Sequence, residues 1–124
     1  MRFTGLFTAA ALAGAMNLAA QVGQGDAAWA AGHYREASAA YHQALTDDPG
    51  QVRANYRLAI LASWENRLDS ALILIQRARQ TEQDDPDVRF AEALILSWAG
   101  RYDEAIATLE PISNTANSWA ERES

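Results

Sequence analysis

Four sets of positions in this chain recur at one spacing. Gly32, Asn66 and Gly100 stand 34 residues apart, as do Tyr34, Leu68 and Tyr102. The same interval separates Ala37, Ala71 and Ala105, and further upstream Gly25, Ala59 and Ala93. The second and third copies agree more closely: Ser63-Trp64 with Arg67 and Asp69 returns as Ser97-Trp98 with Arg101 and Asp103. A period of this length implies a structural unit too small to bury its own apolar face, so that successive units must stack on one another.

Within a unit the apolar spacing is helical. Val52, Tyr56, Ala59, Ile60 and Ser63 share one face, as do Phe90, Ala93, Leu94 and Ser97, and Ala71, Leu72, Ile75 and Ala78 form the stripe of a following helix. Between the two helices lie Asn66-Arg67 and Gly100-Arg101, where Asn and Gly tolerate the left-handed backbone that ends a helix. Asp69 and Asp103 are placed to cap the next helix or to sit in its first turn. Asp47-Asp48-Pro49-Gly50 and Asp84-Asp85-Pro86-Asp87 punctuate the units. Measured from proline to proline, the second link is about three residues longer than the period allows, which predicts an extra turn or a bulged loop around Thr81 to Asp85. Pro111 falls inside the last expected helix and predicts that it is cut to about two turns.

The run Gly32-His33-Tyr34-Arg35-Glu36-Ala37, with Tyr41, Ala44-Leu45 and Pro49, and the run Gly100-Arg101-Tyr102-Asp103-Glu104-Ala105-Ile106 resemble the tetratricopeptide repeat family. The resemblance covers residues 21 to 112. It implies an all-α fold, a right-handed α-solenoid of about three helix-turn-helix repeats, at about 21–50, 51–85 and 86–112. It also implies that small Gly25, Ala59 and Ala93 meet Ala37, Ala71 and Ala105 across each helix pair. First helices of such repeats line a concave face, which would carry Val22, Asp26 and Trp29, then Arg53, Tyr56, Arg57, Ile60 and Trp64, then Asp87, Phe90, Leu94 and Trp98. The candidate peptide-binding set is Arg53, Tyr56, Arg57, Ile60, Trp64, Phe90, Leu94 and Trp98, because aromatic and Arg side chains dominate interface energetics. For Trp64 and Trp98, simple filling of the turn between helix ends is the competing role. The family's clamp for a C-terminal carboxylate would fall on Val22, Asp26, Arg57, Asp87 and Ala91, of which only Arg57 is basic, so that ligand is not expected. The Ser97 to Ala105 segment is also similar to repeats that precede outer-membrane β-barrels in bacterial envelope and exopolysaccharide-export proteins.

Residues 1 to 20 differ from the rest. Arg2 and the terminal amine precede a stretch from Phe3 to Ala20 without acids or bases, and small residues close it. That is the order of a secretory signal, with cleavage expected after Ala20 and a poorer site after Ala15. The alternative is a membrane anchor of about eighteen residues, near the minimum for a span and weakened by its Ala, Gly and Asn17. The expected compartment is therefore periplasmic or envelope-associated. Residues 113 to 124 are polar and turn-like, with a weak capping helix expected at Trp119 to Glu123 after Ser118.

Composition narrows function mainly by exclusion. The 124 residues carry a net charge of −6 and no Lys, which argues against nucleic acid as partner. The absence of Cys removes disulfides, thiolate metal sites and thiol nucleophiles. His33 and His42 are nine apart and share no helical face. The paired acids lack the alternating ligands of a calcium loop. Ser63 and Ser97 have no base placed to activate them. No metal, cofactor or catalytic set is expected. The expected activity is binding of a protein or extended peptide in the envelope. The alternative is an N-terminal scaffold for a larger outer-membrane assembly. Membrane association through envelope partners and self-association through the third repeat are compatible with both.

Overall fold

The computed structural model describes the backbone of residues 4–111, with side chains from residue 17 onward. The described residues are helical throughout apart from short turns: α1 Thr4–Ala30, α2 Tyr34–Asp47, α3 Val52–Trp64, α4 Leu68–Thr81, α5 Pro86–Trp98, and α6 over residues 102–111, where the described residues end. The expected cap at Ser118 to Glu123 lies outside them, as do the first three residues of the expected signal.

Each pair is joined by the same turn. Gly32, Asn66 and Gly100 all take positive φ, at 77°, 60° and 78°. In each turn the next residue's N–H reaches back five residues: His33 to the Ala28 carbonyl, Arg67 to Ala62 and Arg101 to Leu96, at 2.8–2.9 Å. These bonds satisfy carbonyls left open at the helix end. The turn leaves His33 and Arg67 as N-caps of α2 and α4, neither with a side-chain cap, while Glu36 and Asp69 lie in the first turns. Asp69 thus faces the helix dipole and does not cap.

Helices that follow a link between units start differently. Gln51 caps α3 by accepting from the Ala54 N–H at 2.7 Å. Asp85 caps α5 by accepting from the N–H groups of Asp87 and Val88, with Pro86 at the first helical position. The expected extra turn before Pro86 is absent. Helices α2 and α4 are both 14 residues long, and four residues follow each. The mismatch arose because the prolines do different jobs: Pro49 lies inside its loop, whereas Pro86 opens a helix. The expected shortening at Pro111 turns on residues outside the described ones: α6 is described for ten residues, from 102 to Pro111.

Packing follows the small-residue columns. Gly25, Ala59 and Ala93 are buried, as are Ala37, Ala71 and Ala105. First helices α1, α3 and α5 line one side in sequence; α2 and α4 line the other, each packed on α3 and neither on the other. Tyr41 fills the α1–α2 contact beside Gly25, where the next unit sets Ile75 near Ala59. Helix α6 is held by Ala105 and Leu109 against Ala93 and Leu96.

Candidate functional site

The first helices bring one face of α3 and α5, together with Trp29 of α1, around an open groove of about 390 Å³. Seven of the eight expected residues line it: Tyr56, Arg57, Ile60, Trp64, Phe90, Leu94 and Trp98. Arg53 does not, and stands one turn toward the start of α3. Helical spacing accounts for the set, since positions 56, 57, 60 and 64 and positions 90, 94 and 98 fall on one side of their helices.

The rings divide into two groups. Trp64 stacks on Trp29 with centroids 5.8 Å apart and planes inclined at 24°, and Tyr34 packs edge-on against both at 5.1–5.2 Å. Trp64 therefore packs the turn end of its unit against that of the preceding one, yet half its surface stays exposed. Phe90 and Trp98 are 56% and 49% exposed, with no ring partner among the described residues. Large rings left in water on a groove wall are the sort of surface that gains most from being covered.

Sequence reasoning missed the polar network at one end of this face. Asp26 accepts hydrogen bonds from the Tyr41 hydroxyl at 2.6 Å and from Arg57 at 2.8 Å on Oδ1, and from Arg53 at 2.7 Å on Oδ2. Arg57 also donates to the Tyr41 oxygen at 2.7 Å and lies 5.0 Å from the Trp29 ring centroid. Partial burial pushes the Asp26 carboxyl up, but the Tyr41 hydrogen bond and the two guanidinium groups outweigh it and hold the group below the usual carboxylate range. Burial and the Asp26 contact push the Tyr41 hydroxyl up to about 12. Both arginines are thus already paired, so a ligand meets an oriented Arg57 and not a free cation. A signal was available: Asp26 occupies a repeat position filled by Ile60 and Leu94 in the other units, and a carboxylate in an apolar column needs a partner.

The other polar candidates are bonded within their own helices or solvated. Ser63 and Ser97 donate to the carbonyls of Ile60 and Leu94 within their own helices. His33 sits in its turn, exposed, 3.7 Å from Glu36, and His42 is exposed on the outer side of α2. No group of three or more His, Asp and Glu that could hold a metal occurs among the described residues.

With this geometry in view, comparison with known proteins places the repeats. A family model described as tetratricopeptide repeat matches residues 28–95, more than half the chain. A Rhizobium meliloti (strain 1021) protein named "Putative adenylate cyclase 3" is 36% identical in an alignment of 80 positions that covers 56% of this chain and 14% of that protein. The chain therefore spans only a small part of the relative's length. On the period, the three matching turns and the family match, the chain belongs to the tetratricopeptide repeat family.

Proposed function

We propose that this chain is an exported, non-enzymatic binding module that holds an extended segment of another protein in the groove between α3 and α5. Repeats of this family generally mediate protein–protein interaction. The observation that carries the reading here is the exposure of Phe90, Trp98 and half of Trp64 along one open groove. The Asp26–Arg53–Arg57 cluster has a single net positive charge, and Asp87 lies on the opposite wall. A partner segment rich in apolar or aromatic residues, spaced by polar ones, suits these walls better than a strongly charged one.

Export rests on the residue order of the first twenty positions. No helix among the described residues is long and apolar enough to cross a membrane. N-terminal sequencing of the chain recovered from the periplasm of a Gram-negative host tests this, and a mature terminus after Ala20 or Ala15 is the expected result. An intact Met1 in the cytosolic fraction would refute export while leaving the groove reading untouched. The groove itself is tested by selecting random peptides on the chain and on the Phe90→Ala/Trp98→Ala variant. Sequences enriched only on the unaltered chain support the proposal, and identical enrichment on both contradicts it.

A further inference from the structure

The opposite side of the solenoid carries a second, unrelated groove. Because α2 and α4 each pack on α3 but not on each other, a cleft of about 500 Å³ opens between them. Its apolar lining is Leu58, Leu61, Ala62, Ile73 and Leu74, with the polar Ser38, His42 and Ser70 among them. Ile73 is 54% exposed there. The rim is basic, with Arg35, Arg67 and Arg77 against a lone acid, Glu65, although the chain as a whole has a net charge of −6.

The arginines decide what such a cleft would hold. Among the described residues Arg53 and Arg57 pair with Asp26, Arg67 with Glu65, Arg79 with Glu92, Arg89 with Asp84 and Arg101 with Glu104. Arg35 and Arg77 alone among the described arginines have no carboxylate, and both line this cleft. Arg77 is the repeat counterpart of Gln43, so the two positions are offset by eight residues, about 12 Å along the helix direction at 1.5 Å per residue, and the width of the cleft between α2 and α4 adds to this.

We propose that the α2–α4 cleft is a second docking site, for an acidic amphipathic segment of a partner protein. Two of its carboxylates, set about 12 Å or more apart, pair with Arg35 and Arg77, and apolar side chains between them cover Leu61, Ile73 and Leu74. The two-ended placement of charge favours a peptide over a single-headed amphiphile such as a fatty acid, which would leave one guanidinium unmatched. The site is independent of the α3–α5 groove and of its function.

The test uses the full chain and labelled peptides of about twelve residues, made of Leu and Ala with two Glu set three to eight positions apart, which spans about 5–12 Å in helical and about 10–26 Å in extended form. Fluorescence anisotropy should find binding at one or more spacings, weakened by added salt. Replacing both Glu by Gln, or making Arg35→Gln/Arg77→Gln, should each weaken it about tenfold or more. These arginines are exposed and unpaired, so their loss leaves the fold intact, and Phe90→Ala/Trp98→Ala should bind normally. Absence of binding at every spacing, equal binding of the Gln peptide, or equal binding by the arginine variant would overturn the proposal. Displacement of the peptide by dodecanoate at similar concentration would also do so, in favour of a single-headed amphiphile.

Discussion

Gly25 sets how closely α1 and α2 approach. A Cβ built there would stand 2.5 Å from Cε1 of Tyr41, whose ring is fully buried and tied to Asp26 and so has nowhere to move. Gly25→Ala should therefore lower stability by about 1–2 kcal/mol in urea unfolding, overpacking outweighing the better helix propensity of Ala. An unchanged or raised midpoint would show that the contact is loose. Asn66 holds a φ of 60° where the other turns use Gly. Asn66→Gly should be neutral or stabilising and Asn66→Ala should cost about 1 kcal/mol, since Ala gains no local hydrogen bond in that conformation. The Asp26–Tyr41 pair gives stability a pH dependence at both extremes. The folded Tyr41 hydroxyl is raised above its ordinary value of 10.0 to about 12, so its contribution is complete below 10 and lost as pH rises toward 12. The folded Asp26 carboxyl is lowered, so its contribution is complete above about 4 and lost as pH falls through the folded value. Tyr41→Phe should flatten the alkaline limb; an alkaline limb unchanged in that variant would assign it to other tyrosines.

At the scale of the helix, the start of the first repeat bears on where a leader could be cut. Register with Val52 and Pro86 begins that repeat's first helix at Leu18, and Leu18 packs partly buried against the Tyr41 cluster. A chain starting at Met16 should therefore be about 1 kcal/mol more stable than one starting at Gln21, as measured by thermal or urea unfolding. Equal midpoints would mean that cleavage after Ala20 costs the fold nothing. Helix identity and turn position were legible in the sequence because each depends on residues within a few positions: Gly or Asn at the turn, an apolar stripe on either side. The links between units were misread because proline serves both as a loop residue at 49 and as a helix opener at 86, and spacing alone does not tell these apart. The groove-lining set was legible for the same local reason as the helices, since it follows from which face each first helix presents. The Asp26 network was not, because its partners lie 15 to 31 residues away and meet only once the units are stacked.

The molecule as a whole is held by its inter-unit contacts, and these are not alike. Leu58 and Leu45 belong to the apolar cluster between the first two units, whereas their counterparts one period on are Glu92 and Arg79, joined at 2.9 and 3.0 Å through both carboxylate oxygens. Arg79→Ala strands a carboxylate that is 8% exposed and should cost about 1–3 kcal/mol, while Arg79→Leu/Glu92→Leu should recover most of that loss. If the double variant is as unstable as the single one, the pair does more than satisfy itself. The same stacking aligns α3 and α5 into the proposed binding groove, and Phe90 and Trp98 are its most informative residues because each leaves about half its surface in water and neither joins the hydrogen-bond network that holds Arg57. The most direct test is the affinity of a library-selected peptide for the chain and for Phe90→Ala/Trp98→Ala, with circular dichroism showing that both are folded. Loss of about tenfold or more in the variant is the expected result, as two exposed rings in an interface centre are typically worth at least that. Affinity within about twofold of the unaltered chain, well inside the effect of a single hot-spot ring, would contradict the groove as the binding surface.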